Sequence, residues 1–411
     1  MKFQLSPISG EIHATVNLPA SKSIANRALI INALADSPYP IAHLSDSDDT
    51  RLLSEMLNSN ENHFDIGHAG TAMRFLTAFL SQIVGEWSIT GSARMKQRPI
   101  KILVDALNQL GAHITYPEKE GFPPLKITGS HLKGKTLELD GSISSQYISA
   151  LLMIAPTLEG GLTLLLKNEI TSRSYIELTL RIMNQFGIDY HWENTSIHIE
   201  EQNYRPLPFF VEADWSGASY WYELLCLSES GRIELKHLYL NSIQGDSQIS
   251  KWFEQFGIHS EQQGNNVIIR KIKNIRPNFL QLNFLENPDM AQTMAVLCVL
   301  MNVPFHFTGL ATLKIKETDR MLALQNELGK FGAQLIEPSH GELAWDGQLQ
   351  FKGSQIPCIK TYHDHRMALA FAPACLVRPI EIDDPMVVTK SYPRYYEDLK
   401  TIGIQIQEKT L

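Results

Sequence analysis

Two kinds of apolar pattern alternate along this chain, and the alternation itself repeats. In the first kind an amphipathic run stops at a glycine followed by an apolar residue: 103–112 (LVDALNQLGA), 178–188 (LTLRIMNQFGI), 249–258 (ISKWFEQFGI), 321–333 (MLALQNELGKFGA) and 395–404 (YYEDLKTIGI). An apolar stripe at helical spacing that ends on Gly reads as a helix closed by a left-handed residue, and the apolar residue after it starts a strand. The segment 49–57 (DTRLLSEML) is a degenerate sixth member, and the set recurs about every 70 to 75 residues.

The second kind precedes each of these, at 23–34, 70–80, 145–156, 216–227, 289–300 and 365–376, each entered from small or polar residues. These segments are apolar nearly all round, which predicts buried helices with only the first turn open to solvent or a ligand. Short alternating strands lie between, such as 87–90 (WSIT), 163–166 (TLLL), 233–235 (IEL) and 267–269 (VII). Units of this size are too large for a solenoid repeat. The pattern therefore predicts an α/β protein of two domains with three units each. The crossovers fall near Pro19 and at 210–214, giving one domain of 20–213 and one of 1–19 plus 214–411.

Composition narrows the function. The chain has 411 residues and a net charge of −8, which argues against a nucleic-acid surface and makes any cationic site local. Cys226, Cys298, Cys358 and Cys375 show no C-x-x-C spacing, so we expect free thiols in a reducing compartment. The first residues, MKFQLSP, lack a signal-like apolar region, and no apolar run approaches the ~20 residues needed to span a bilayer. The expectation is a cytoplasmic protein without a membrane partner.

Candidate chemistry sits at the helix starts. In 18–29 (LPASKSIANRAL) a hydroxyl-rich turn opens a helix beside Lys22, with Arg27 one turn on, an arrangement suited to an anion. The turn 67–74 (GHAGTAMR) allows close backbone approach by an oxyanion, and 94–99 (RMKQRP) brings three cations into one loop, with Arg98 expected to be extended before Pro99. Adjacent hydroxyls and an amide open the helix after 142–147 (SISSQY). In 314–320 (KIKETDR), Lys316 and Arg320 would be like-charged neighbours one helical turn apart, which favours a binding purpose over a structural one. The stretch 362–367 (YHDHRM) follows the same logic. His363 and His365 lack a third ligand at compatible spacing, and Arg366 would oppose a metal cation. Asp289 and Glu317 are the carboxylates placed for proton transfer if they face the cations.

These motifs, SKSIANRAL, GHAGTAMR, RMKQRP, SSQY, SRSYIEL, NPDMAQ, KETDR, DHRMA and TKSYP, together resemble the 5-enolpyruvylshikimate-3-phosphate synthase family over essentially the whole chain. The resemblance implies the enolpyruvyl transferase fold, a two-domain inside-out α/β barrel with three βαβαββ units per domain. It also implies two small anionic substrates, shikimate 3-phosphate and phosphoenolpyruvate, and no metal or organic cofactor. Matched by motif, Ser23, Arg27, Ser144, Ser145, Ser172 and Lys316 hold shikimate 3-phosphate, with Tyr175 bordering it and Asp289 at the attacking hydroxyl. Gly70, Arg98, Arg320, Arg366 and Lys390 hold phosphoenolpyruvate, and Lys22 and Gln146 touch both. The implied catalytic groups are Asp289 as base, Glu317 exchanging a proton at C3, and Lys22 at the bridging oxygen. We expect a monomer whose halves, each carrying part of the cations, close on the anions that relieve mutual repulsion.

The chain departs from the family at His68, where Asn is usual, and at Phe75, where Pro is usual; the latter predicts reduced sensitivity to glyphosate. Thr312 stands where some members carry a substrate-contacting Asn. The related carboxyvinyltransferases acting on UDP-N-acetylglucosamine differ by Asn at the position of Ser23 and often a loop Cys, absent from 85–99 here. A non-catalytic binding relative would not need both carboxylates beside anionic ligands. A nucleotide kinase lacks support because no G-x-x-x-x-G-K-[ST] occurs.

Overall fold

The structure, a computed structural model, describes residues 1–7, 10–142, 144–350 and 355–409. The chain forms two compact units, a contiguous one, Ala20–Val211, and a split one, Met1–Pro19 with Glu212–Leu411. The contiguous unit carries helices α1 (Lys22–Leu34), α2 (Asp48–Leu57), α3 (Gly70–Ser81), α4 (Lys101–Gln109), α5 (Ser145–Ile154) and α6 (Arg173–Gln185). The split unit carries α7 (Trp215–Leu227), α8 (Ile249–Glu254), α9 (Ala291–Leu300), α10 (Arg320–Gly329), α11 (His365–Phe371) and α12 (Tyr395–Thr401). Odd-numbered helices are the all-round apolar type, even-numbered ones the amphipathic type. As that pattern requires, α3, α5, α7, α9 and α11 are buried along nearly their whole length.

The glycine stops work as the pattern predicts. Gly111, Gly187, Gly257, Gly332 and Gly403 have φ between 83° and 105°, a region costly for residues with a Cβ. The N–H after the glycine closes back onto the helix in four of them: Ala112 to the Leu107 carbonyl (3.0 Å), Ile188 to Met183 (3.1 Å), Ala333 to Leu328 (3.3 Å) and Ile404 to Leu399 (3.2 Å). The degenerate member, α2, ends instead at Asn58 with φ −100°.

A buried helix links a parallel strand pair, and antiparallel strands extend the sheet. In the contiguous unit α3 joins His63–Asp65 to Gly85–Thr90, which continues through Leu125–Gly129 to His113–Thr115. Similarly α5 joins Thr136–Asp140 to Leu162–Lys167, followed by Ser196–Ile199 and His191–Glu193. The split unit repeats the plan around α7, α9 and α11. Its last sheet places Lys2–Ser6 between Ile380–Asp383 and Gln405–Lys409, so the start of the chain completes a sheet made from its end. Trp215, Trp221, Phe253, Phe284 and Phe307 fill this unit's core under α7, α9 and α11.

Two helix starts differ from the pattern-based reading. The helix expected from Asp289 begins at Ala291, after a 3-10 turn over Pro288–Met290 that holds Asp289 at the helix mouth. The helix after KETDR begins at Arg320, because the Asp319 carboxylate accepts the Leu322 N–H (3.0 Å) and caps it there. Lys316, with ψ −149°, lies outside the helix, so it and Arg320 are not helical neighbours.

Candidate active site

In the contiguous unit the N-terminal halves of α1, α3, α5 and α6 are tied together by side chains. Ser21 caps α1, and Lys22 follows with its ammonium 3.8 Å from Asp49 in the first turn of α2. Arg27 is turned inward and is only 3 % exposed. Its Nε donates to Thr179 Oγ1 (2.6 Å), Nη1 to the Ser23 carbonyl (2.8 Å), and Nη2 to Ser149 Oγ (3.1 Å) and the Tyr175 carbonyl (3.3 Å). Every one of these acceptors is neutral, and burial pulls the guanidinium down to about 10. The Phe75 ring, fully buried, lies 5.4 Å from the guanidinium carbon.

The helix starts themselves carry the small polar residues. Ser144 caps α5, its hydroxyl accepting the Gln146 N–H (3.4 Å), and Ser145 is buried beside it; Ile143 lies outside the described residues. Gln146 reaches across to α3, donating to Thr71 Oγ1 (3.3 Å). Ser172 opens α6 in the left-handed region (φ 53°), and its carbonyl accepts the Tyr175 N–H (3.0 Å). Arg98 is extended as expected (φ −88°, ψ 124°) and lies against Gly70 so closely that a Cβ there would overlap Nη1. Arg74 brackets this contact, donating to the Gly70 carbonyl (3.1 Å) and to the Pro99 carbonyl (3.2 Å), which also accepts from Tyr147. Of the other loop cations, Lys96 pairs with exposed Glu118 (2.7 Å). His68 Nδ1 is 2.9 Å from Ser92 Oγ.

The split unit gathers opposite charges in one cluster built on buried Arg320, Arg366 and Asp364. Arg320, 1 % exposed, donates to Asp364 through Nε (2.6 Å) and Nη2 (3.2 Å), to Asp289 Oδ1 (2.8 Å) and to Glu317 Oε2 (3.0 Å). Arg366 donates to Asp289 Oδ2 (2.9 Å), Ser216 Oγ (3.3 Å) and Tyr220 Oη (3.3 Å). Lys316 Nζ is 3.9 Å from Asp289. Asp364 caps α11 by accepting the Arg366 N–H (2.9 Å), which fixes where that arginine leaves the helix. Two consecutive left-handed residues, Tyr362 (φ 55°) and His363 (φ 56°), form the turn into this cap, and Lys390 donates to the His363 carbonyl (3.0 Å). Among the described residues no carboxylate pairs with Arg27, Arg98 or Lys390, and no three His, Cys, Asp or Glu side chains form a metal-binding group.

The electrostatics follow from this packing. Burial alone would raise the Asp289 carboxyl, but Arg366, Lys316 and Arg320 outweigh it and hold the group well below the usual carboxylate range. Burial likewise disfavours the Arg320 charge, and Asp364, Glu317 and Asp289 more than restore it. The expected mutual repulsion of cations is therefore corrected for this unit: Arg320, Arg366 and Lys316 are interleaved with carboxylates.

Of the residues singled out from sequence, the structure brings Asp289, Lys316, Glu317, Arg320 and Arg366 into one cluster, with Lys390 beside His363. It joins Arg27 to Ser23 and Tyr175, Gly70 to Arg98, and Gln146 to the residue after Gly70. Sequence reasoning missed Asp364 as the bidentate partner of Arg320, Asp49 beside Lys22, and Asp246 behind Arg366. Asp364 carried a usable signal, since an Asp before an apolar helix is a standard cap; the other two became neighbours of the site only through tertiary packing.

Comparison with known proteins gives one consistent result. The family model described as EPSP synthase (3-phosphoshikimate 1-carboxyvinyltransferase) matches residues 7–60 and 53–399. A 3-phosphoshikimate 1-carboxyvinyltransferase of Bacteroides fragilis (strain YCH46) is 50% identical over 409 residues, covering 99% of each chain. One of Vibrio campbellii (strain ATCC BAA-1116) is 35% identical, covering 97% of this chain and 99% of its own. Among solved structures, an EPSP synthase from Acinetobacter baumannii superposes with a TM-score of 0.78 at 21% identity, over 99% of this chain and 100% of its own.

Proposed function

The chain belongs to the EPSP synthase family and has its two-domain enolpyruvyl transferase fold, and from that premise we infer which side chains hold the substrates and move the protons. The reaction transfers the enolpyruvyl group of phosphoenolpyruvate to shikimate 3-phosphate in the shikimate pathway. In our reading the substrate 5-hydroxyl adds to C2 of phosphoenolpyruvate while C3 is protonated, and phosphate then leaves the tetrahedral intermediate. Ser23, Arg27, Ser144, Ser145, Ser172 and Lys316 hold shikimate 3-phosphate, with Tyr175 at its border. Gly70, Arg98, Arg320, Arg366 and Lys390 hold phosphoenolpyruvate. Lys22 and Gln146 serve both, and Lys22 stabilises charge at the bridging oxygen.

Asp289 is the base toward the hydroxyl and Glu317 exchanges the proton at C3. The observation that carries this reading is the double clamp on Asp289, whose two carboxylate oxygens each accept from an arginine, at 2.8 and 2.9 Å. A carboxylate so clamped is a weak base. Anionic substrate that takes a share of Arg320, Arg366 and Lys316 loosens the clamp and raises its proton affinity, so base strength develops only when the substrate is bound. Arg27, with its buried charge and neutral acceptors, supplies the complementary need for an anion. The reading extends to a monomeric cytoplasmic enzyme without a nucleic-acid partner, the last supported by the net charge of −8; among the described residues no helix is long and apolar enough to cross a membrane.

The test is phosphate release from phosphoenolpyruvate with shikimate 3-phosphate or UDP-N-acetylglucosamine as acceptor, for the wild type, Asp289→Ala and Lys22→Ala. Release with the first acceptor alone, lost in both variants, is expected. Wild-type rates in Asp289→Ala would overturn the assignment of the base.

A further inference from the structure

Asp246 lies behind the charge cluster of the split unit, in the 3-10 turn Gly245–Gln248 that leads into α8. Its side chain is buried, and both oxygens are engaged. Oδ2 accepts from Ser216 Oγ (2.7 Å) and Oδ1 from Asn287 Nδ2 (3.1 Å). Each partner leads to a different member of the Asp289–Arg366 pair. Ser216, oriented by its donation to Asp246, presents its oxygen to Arg366 Nη2 (3.3 Å). Asn287 precedes Pro288 and Asp289, and its backbone N–H is fixed on the Phe284 carbonyl (3.1 Å), so holding its side chain holds the entry to the turn that presents Asp289.

We propose that Asp246 is a positioning residue for the reaction, a single carboxyl with two arms that sets Arg366 for phosphoenolpyruvate and Asp289 for the attacking hydroxyl. This rests on the roles proposed above for those two residues. The physical reason for a carboxyl here is its capacity to accept from two donors at once. An amide can accept from one arm and must turn an NH2 toward the other, and an apolar side chain releases both. A structural filler in the same place would need only volume. Burial, and then the nearby negative charge of Asp289, push the Asp246 carboxyl upward, so buried Asp246 and the partly exposed carboxylate of Asp289 stand within one network.

Because the arms separate, so do their consequences. Steady-state kinetics with both substrates would be measured for Ser216→Ala, Asn287→Ala, Asp246→Ala and Asp246→Asn, with Arg366→Ala as the reference and thermal melting as the check on folding. Loss of the Ser216 arm is expected to raise KM for phosphoenolpyruvate about tenfold with kcat little changed, and loss of the Asn287 arm to lower kcat about tenfold with that KM little changed. Asp246→Ala is expected to show both effects, Asp246→Asn one of them, and KM for shikimate 3-phosphate to stay within about twofold throughout. A folded Asp246→Ala with wild-type constants, beside an Arg366→Ala with raised KM, overturns this inference and leaves the proposed site standing. An Arg366→Ala with unchanged KM overturns both. If Asp246→Ala does not fold, the two single-arm variants decide, and wild-type constants in both overturn the proposal.

Discussion

Glu223 gives the sharpest test of the energetics. It lies in α7, its side chain fully buried, and among the described residues neither carboxylate oxygen has a hydrogen-bond partner. Burial raises its pKa well above the ordinary 4.5. The sign follows from proton counting. Above pH 4.5 the unfolded chain has released this proton and the folded chain retains it, so rising pH favours unfolding until the folded-state pKa is reached. The slope from this one group is about 1.4 kcal/mol per pH unit. Glu223→Gln keeps the shape and the buried polar atoms and abolishes the titration. Urea unfolding of both proteins, read by fluorescence of Trp215 and Trp221 in the same helix, gives stability at pH 5.5 and 6.5. The stability of the variant relative to the wild type is expected to increase between the two, by up to roughly 1 kcal/mol, with every other titrating group cancelling in the difference. Parallel stability curves would show that Glu223 carries no retained proton and would refute the argument from its burial.

Gly70→Ala places a methyl where Arg98 Nη1 now lies, and is expected to raise KM for phosphoenolpyruvate about tenfold with KM for shikimate 3-phosphate and helix content unchanged, checked by kinetics and circular dichroism. Gly111→Ala, with the His131 carbonyl oxygen at 3.7 Å as its nearest neighbour, is expected to cost about 1–2 kcal/mol for the left-handed backbone alone. Gly257→Ala, whose Cβ would overlap the Lys273 carbonyl oxygen, is expected to cost clearly more; equal losses in denaturant unfolding would contradict the contact. With Phe75 buried under Arg27, glyphosate inhibition is expected to be weaker than in relatives with Pro at that position, and an inhibition constant matching theirs would reject it.

The legible part of this protein was what local chemistry encodes. The five glycine stops announced themselves because left-handed backbone after an amphipathic run has few other occupants, and the buried helices because they lack a polar face. The cations of the site were legible because they crowd helix starts. Asp289 and Glu317 were legible too; what stayed hidden was the rest of the counter-charge, Asp364, Asp49 and Asp246. The spacing of Lys316 and Arg320 suggested a shared helix face, yet Asp319 starts the helix later, and Arg320 turns to Asp364, which is distant in sequence. Asp246 had no local mark at all. Its turn opens a short helix whose basic residue, Lys251, is exposed, and only the packing of α7 beside the Asn287 turn gives it two donors.

The strand Lys2–Ser6, held between Ile380–Asp383 and Gln405–Lys409, sets an order for biosynthesis. The contiguous unit is complete in the nascent chain once Val211 has emerged, and can fold while the rest is still being made. The first strand has no such opportunity. At ordinary elongation rates it waits roughly 20 to 80 s for both neighbours, an unpaired edge in the meantime. A ribosome that stalls before Gln405–Lys409 has emerged would therefore leave a chain with one unit finished and the other unable to close its last sheet, a species for chaperones and proteases to recognise.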